Sequence, residues 1–306
     1  MAAAFVQIPS SPLAPGVAPV RIRYRDTGAG PPVVVLHGGW GYEVYPFDAQ
    51  IAALAPGHRI VIPDRSGYGG SPPIEDLPAD FHDRAAEETR AVIDALGLAR
   101  PILWGHSDGA IVALLLALAH PDRIAGAIVE ATHLYKQKPG SRAFFEAIVA
   151  DPDSIGARAA AVMARDHGER WRRLLDRHSR AWLRIGRDAR SAAEEFYGGR
   201  LPGLKVPVLV VHGGRDPRTE PGELEALCAA LQERGAAGTA DARDRRAFAI
   251  FDAGGHSPHS ERASADAVTD AALAFVHDVI GSTHPARPAD PAHPADPAHS
   301  ARPLRP

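Results

Sequence analysis

The sequence is short of the features that mark secreted, membrane-spanning and nucleic-acid-binding proteins. It holds one cysteine, Cys228, so an internal disulfide is excluded and a cytoplasmic location is expected, with Cys228 buried in a helix. The N-terminus has neither the basic nor the apolar region of a signal peptide, and no apolar run approaches the ~20 residues that cross a bilayer. A formal net charge of −3 gives no reason to expect nucleic acid or a membrane as a partner.

The two ends of the chain differ from its middle. We assign residues 1–19 to an N-terminal arm that precedes the first predicted strand. From Gly281 onward proline, alanine and histidine dominate, and the segment Ala-Asp-Pro-Ala-His occurs twice. Proline removes backbone donors, and little in this stretch is apolar enough to bury. Residues 281–306 are therefore predicted to be a disordered tail.

Short apolar runs alternate with longer helical patterns in residues 20–132 and 201–280. This alternation predicts an α/β core, a parallel sheet with helices on both faces. Residues 133–200 interrupt it, because they carry charged helical patterns with Trp171 and Trp182 and no strand pattern. We interpret them as a helical insertion at the ligand-binding edge of the sheet, either a cap over a site or a structural excursion without substrate contact.

A single serine lies between two glycines in the stretch "GHSDGA", as Gly105-His-Ser107-Asp-Gly109. A strand pattern, "PILWGH", precedes it, and a helix pattern, "DGAIVALLLALAH", follows. A sharp turn between strand and helix would lift the hydroxyl of Ser107 clear of the sheet, and it requires glycine on both sides. Ser107 is therefore the candidate nucleophile.

A serine nucleophile needs a base and an acid that orients the base. Asp216 and His256 each follow a later strand pattern, in "VPVLVVHGGRDP" and "FAIFDAGGHSPH", and the order serine, acid, histidine suits this fold. Glu130 also follows a strand pattern and is a rival acid, and His259 is a rival base. Asp216 and His256 are preferred because glycines beside them give their loops freedom to reach Ser107.

Two backbone amides are candidates to bind a developing oxyanion. One is the N–H of Asp108 at the start of the helix, and the other is that of Gly39 in the glycine-rich segment "LHGGWG". Trp40 and His133 are predicted to line the substrate pocket. The side chain of Asp108 has two interpretations: it selects a cationic group on the substrate, or it only stabilises the helix dipole.

Five segments together, "HGGWG", "DRSGYGGS", "GHSDGA", "HGGRDP" and "GGHSPH", resemble the α/β-hydrolase superfamily over about residues 20–280. The resemblance implies an eight-stranded, mostly parallel sheet, a helical cap after the sixth strand and no cofactor. It also implies that Ser107 is the nucleophile, Asp216 the acid and His256 the base. A serine at the nucleophile position argues against the related dehalogenases and epoxide hydrolases.

These observations favour a serine hydrolase that cleaves a small-molecule carboxylic ester. Two alternatives stay open, an amidase or aminopeptidase and a non-catalytic ligand-binding protein on the same fold. A metal-dependent hydrolase is disfavoured, because His256-x-x-His259 lacks an evident third ligand nearby. The sequence does not indicate the oligomeric state.

Overall fold

The computed structural model describes residues 2–232 and 245–283, and an eight-stranded sheet forms its centre. The strands lie in the order β1-β2-β4-β3-β5-β6-β7-β8. The pairs β1–β2 and β2–β4 are antiparallel, and the five pairs from β4 to β8 are parallel. The predicted fold class is therefore confirmed. The strands are β1 Ala2–Ile8, β2 Val20–Thr27, β3 Pro32–Leu36, β4 Arg59–Pro63, β5 Ile102–His106, β6 Gly126–Glu130, β7 Val208–Gly213 and β8 Arg246–Phe251.

Helices cover both faces of the sheet. The helices are α1 Asp48–Leu54, α2 Phe81–Ala95, α3 Asp108–Ala119, α4 Pro139–Ala150, α5 Ala157–His167, α6 Trp171–Asp188, α7 Glu223–Gln232 and α8 Ala265–Thr283. Successive strand residues point to opposite faces. Val34 therefore belongs to the buried cluster that includes residues of α2, α3 and α7, whereas Val33 and Val35 belong to the cluster that includes residues of α1 and α8. None of the helices in the described ranges is both long and apolar enough to cross a membrane.

Helix α3 lies at the centre of the core. Its residues from Ala110 to Ala117 are all buried, and an apolar surface on every side is what a fully enclosed helix requires. Strand β5, which leads into it, is buried along its whole length. The residue between them, Ser107, therefore sits on a rigid part of the molecule.

The N-terminal segment differs from the predicted arm over residues 1–19. Residues 2–8 form strand β1, which pairs with β2 from Ala2 opposite Asp26 to Ile8 opposite Val20. Ile8 is fully buried in the core beneath α2. The sequence pattern did not reveal this strand because three alanines, which are poor strand formers, open it.

Residues 133–200, which we call the cap, join β6 to β7 and contain α4, α5 and α6. Helices α4 and α6 pack against each other, and an isolated antiparallel bridge between Tyr135 and Glu195 joins the two ends of the segment. A cluster of buried cap side chains encloses Tyr68 of the core. The cap is thus packed onto the sheet domain.

Two further expectations concern the C-terminal half of the chain. Cys228 lies in α7, as expected, but it is half-buried instead of buried. Helix α8 continues to Thr283, three residues past the predicted end at Ile280. The rest of the predicted disordered tail, residues 284–306, lies outside the described residues.

Replacing Ile8 by alanine tests whether β1 belongs to the folded unit. Its side chain is fully buried, so we expect the variant to lose ~2–5 kcal/mol of unfolding free energy through lost contacts and a cavity. Phe5→Ala is the matched control, because Phe5 lies on the same strand and is 45% exposed; its loss should stay below ~1 kcal/mol. Urea unfolding curves measure both. Small, equal losses in the two variants would show that β1 adds nothing to stability.

Candidate active site

Ser107 occupies a strained turn between β5 and α3. Its backbone has φ 54° and ψ −120°, a conformation that residues with a side chain rarely adopt. The strand and helix approach so closely that a Cβ on Gly105 would lie 2.1 Å from the oxygen of Gly109, and one on Gly109 would lie 2.0 Å from the oxygen of Leu36. Only glycine fits at either position, which explains the spacing around Ser107.

A continuous hydrogen-bond chain runs from Ser107 to Asp216. The Ser107 hydroxyl lies 3.1 Å from Nε2 of His256, and Nδ1 of His256 lies 2.8 Å from Oδ2 of Asp216. An ionised carboxylate only accepts hydrogen bonds, so Nδ1 donates and Nε2 is left to accept the serine proton. The loops that carry acid and base meet because Gly213 has no side chain, where a Cβ would lie 2.1 Å from the oxygen of Gly255.

Asp216 is held in its charged form. Burial alone would raise the pKa of this carboxyl, but the charge and hydrogen bond of His256 outweigh burial and hold the pKa well below its ordinary value. The other oxygen of Asp216 accepts the backbone N–H of Arg218 at 2.8 Å. The Asp216 side chain is fully buried, whereas that of His256 is 20% exposed. The acid is thus shielded and the base is accessible.

The rival residues form a separate pair. Oε1 of Glu130 accepts hydrogen bonds from Nδ1 of His259 at 2.8 Å and from its backbone N–H at 2.9 Å. Nε2 of His259 is 3.1 Å from the carbonyl oxygen of Tyr45, and its ring stacks on Phe47 at 3.8 Å. Both side chains are fully buried. The structure therefore brings Asp216 and His256 to Ser107 and pairs Glu130 with His259.

The two predicted oxyanion donors belong to the two segments next to Ser107, the start of α3 and the loop after β3. Asp108 is the first residue of α3, so its backbone N–H has no acceptor within the helix. The loop after β3 lies against the serine, since a Cβ on Gly38 would be 3.2 Å from Cβ of Ser107. The next residue, Gly39, packs against the ring of His178.

A cavity of about 190 Å³ opens at Ser107 and His256 between the sheet edge and the cap. It includes Trp40 and His133, the two residues predicted to line the pocket. Aromatic and basic side chains dominate its wall, which also contains Tyr45, Lys138, Ser141, Phe144, Phe145, His178, Trp182 and Arg218. Many of these come from the cap, so the cap contributes directly to the space beside the serine.

The carboxylate of Asp108 does not line this cavity. It is buried, and its Oδ1 lies 3.1 Å from Nε2 of His82 and 3.1 Å from Nε1 of Trp182. Its Oδ2 lies 2.7 Å from Nε2 of His178 and forms a longer ion pair of 3.8 Å with Arg65. Burial would raise the pKa of this carboxyl, but the two histidines hold it well below the ordinary value.

Of the two interpretations of the Asp108 side chain, the structure disagrees with the first and adds further contacts to the second, since Asp108 lies in the first turn of α3 and faces away from the cavity. It is not available to a cationic substrate group, and it is more than a helix-dipole residue, because it joins α3 to two side chains of cap helix α6. Sequence reasoning had no signal for this role, since His178 and Trp182 lie about seventy residues away. A second link was also missed: Lys138 at the start of the cap is hydrogen-bonded to both oxygens of buried Glu223 in α7.

Replacing Asp108 by alanine should loosen the cap. His82, His178 and Trp182 would lose their shared acceptor while buried, and we expect ~3–5 kcal/mol less unfolding free energy together with faster proteolysis within the cap. Asp176→Ala is the control: it removes a surface ion pair with Arg180 on the same cap helix and should cost less than ~1 kcal/mol. An Asp108 variant with unchanged stability and an equally protected cap would contradict this role.

Comparison with known proteins agrees with this architecture. A family model described as alpha/beta hydrolase fold matches residues 31–184. The serine hydrolase BPHL of Homo sapiens is 30% identical over 214 residues, which cover 65% of this chain and 68% of that protein. Epoxide hydrolase A of Mycobacterium tuberculosis is 38% identical over 109 residues, and these span only about a third of either protein, 35% and 34%.

A solved structure extends the likeness to nearly the whole chain. A thermophilic esterase from Thermogutta terrifontis superimposes with a TM-score of 0.64 over 90% of this chain and 99% of its own, at 24% sequence identity. At that identity the likeness establishes the fold and nothing finer. The family model covers half of the sequence, and the eight-stranded sheet agrees with the fold of this structural neighbour. The chain belongs to the α/β-hydrolase family.

Proposed function

We propose that the protein hydrolyses small-molecule carboxylic esters through an acyl-enzyme intermediate on Ser107. The observation that carries this proposal is the hydrogen-bond chain from Ser107 through His256 to Asp216, which faces a cavity between the sheet and the cap. The limited volume of that cavity, about 190 Å³, favours a small substrate over a polymer. A cytoplasmic location stays a prediction from the sequence.

The first half of the reaction forms the acyl-enzyme. Ser107 Oγ attacks the ester carbonyl carbon while Nε2 of His256 takes the hydroxyl proton. The carbonyl oxygen becomes an oxyanion, for which the N–H groups of Gly39 and Asp108 are the proposed donors. His256 then gives its proton to the departing alkoxide, and an alcohol leaves. Throughout, anionic Asp216 stabilises the imidazolium.

The second half releases the acid. A water molecule takes the place of the alcohol, His256 Nε2 removes one of its protons, and the oxygen attacks the acyl carbon. The tetrahedral species collapses, the proton returns from His256 to Ser107 Oγ, and the carboxylic acid departs. The 20% exposure of the His256 side chain supports this step, because the base is open to the cavity from which water must come.

A labelling experiment tests the nucleophile. A fluorophosphonate probe should modify the wild-type protein on Ser107, located by peptide mass spectrometry, and should leave Ser107→Ala unmodified. The same variant should lose ~10³-fold or more in kcat on a short-chain ester, because the attacking atom is gone. Exposed Ser154 in the cap supplies the control, since Ser154→Ala should label and turn over like the wild type.

Three other outcomes would change the proposal. Retention of more than a tenth of wild-type turnover by Ser107→Ala would exclude it as the nucleophile. Labelling without ester turnover, but with turnover of the matching amides, would favour the amidase alternative. Absence of labelling and of turnover in the wild type would favour non-catalytic ligand binding.

The two buried acids can be separated by paired variants. Asp216→Asn should lower kcat by ~10³-fold or more, because the amide cannot hold His256 in the tautomer that accepts the serine proton. Glu130→Gln alters the other acid–histidine pair and should reduce the melting temperature while leaving kcat per folded molecule within about tenfold. Active-site titration corrects both rates for the folded fraction. The reverse pattern would make Glu130 the catalytic acid.

A further inference from the structure

The cavity at Ser107 has an unbalanced set of charges. Among the residues that the structure describes, its wall includes the cations Lys138 and Arg218 but no acidic side chain. The nearest acids are already engaged: Asp108 by the cap, Asp216 by the catalytic histidine, and Glu223 by Lys138. The charged side chains that face a substrate inside the cavity are therefore cations.

The two cations are not equivalent. Nζ of Lys138 is hydrogen-bonded to both oxygens of Glu223, so its charge is balanced. The guanidinium of Arg218 has no carboxylate partner within the described ranges; only its backbone N–H bonds Asp216. The guanidinium lies 3.3 Å from the ring centroid of Phe144 in cap helix α4. Arg218 is thus a positioned cation with no carboxylate within ion-pair distance in the described part of the chain.

Partial burial makes this arrangement costly without a ligand. Burial lowers the pKa of Arg218, against the opposing effect of Asp216, but an arginine remains charged at neutral pH. Stacking on Phe144 holds the planar face and leaves the N–H edge to donate. That edge matches the two oxygens of a carboxylate, and such charge-assisted pairs are about twice as strong as neutral hydrogen bonds.

Further polar atoms on the same wall point to a polar ligand. Nδ1 of His133, Oγ of Ser141 and Nδ1 of His178 are buried and have no hydrogen-bond partner among the described residues. A purely hydrocarbon acyl chain would leave all of them unsatisfied, which is unfavourable. A substrate with a polar group away from the scissile bond therefore suits this wall better than a hydrocarbon chain does.

We infer that the substrate at Ser107 is an ester that also bears a carboxylate, and that the guanidinium of Arg218 binds this carboxylate. The inference rests on the proposed function and narrows it to half-esters of dicarboxylic acids and related acidic esters. The sequence alone allowed a cationic substrate group bound by Asp108. The inference is the opposite, an anionic substrate group, because the carboxylate of Asp108 is hydrogen-bonded to the cap.

A matched substrate pair tests the charge preference. Monomethyl adipate and its neutral carboxamide analogue differ only at the distal group, and chromatography measures ester hydrolysis of both. In the wild type, kcat/KM for the acid should exceed that for the amide at least tenfold. Arg218→Gln should lower kcat/KM at least tenfold for the acid and less than threefold for the amide, and Arg218→Lys should fall between.

Arg215 provides the control for net charge. It lies three residues earlier in the same loop, is exposed and does not line the cavity, so Arg215→Gln should leave the acid-to-amide ratio unchanged. A wild type without preference for the acid would overturn the inference. Equal losses on both substrates in Arg218→Gln would also overturn it, because Arg218 would then only position the cap through Phe144.

Binding separates this inference from the proposed chemistry. Calorimetric titration of Ser107→Ala should show tighter binding of monomethyl adipate than of the amide, and the added Arg218→Gln change should abolish the difference. If the wild-type protein is neither labelled by the fluorophosphonate nor able to hydrolyse the esters, the proposed function is wrong. The titration then still tests whether Arg218 binds the carboxylate. If both esters are hydrolysed equally and bind equally, only the inference fails.

Discussion

The close contact between the end of β5 and the start of α3 is the constraint on which the site depends. Glycine at 105 and 109 lets strand and helix approach within van der Waals distance, and this forces Ser107 into a positive-φ conformation. The same turn places Asp108 at the first position of a helix that is buried on all sides. A charge in that position needs partners, and the cap provides two of them, His178 and Trp182. The exposed hydroxyl and the anchored cap therefore follow from one turn.

Carboxylate–imidazole pairs recur around this turn, and accessibility distinguishes them. His178 pairs with Asp108 and His259 with Glu130, and these imidazoles have side-chain exposures of 6% and 0%. His256 is 20% exposed and lies within hydrogen-bond distance of the Ser107 hydroxyl. The same kind of carboxylate–imidazole pair is thus buried in the interior at His178 and His259, whereas at His256 it faces the cavity. Burial, more than residue type, separates the structural histidines from the candidate base.

The sequence predicts much of this arrangement because the relevant signals are local. The glycines around Ser107 and the loops that carry Asp216 and His256 each follow a strand pattern, and parallel strands bring their ends together. The catalytic roles of the three residues remain predictions. Strand β1 was missed because its pairing with β2, and not its composition, makes it a strand. Nor could the sequence show that Arg218 has no carboxylate within ion-pair distance among the described residues, since this depends on how distant acids are paired.

Helices α4 and α6 of the cap have different roles. Helix α6 forms the hydrogen bonds to Asp108 beside Ser107 through His178 and Trp182, which also line the cavity. Helix α4 contributes Ser141, Phe144 and Phe145 to the cavity wall without bonding Asp108. Changes in α4 can therefore reshape what fits while the turn at Ser107 keeps its support. Changes at the anchoring positions of α6 disturb both at once. Substitutions in α4 can therefore change which molecules the cavity accepts during evolution, while the residues of α6 that hold Asp108 stay the same.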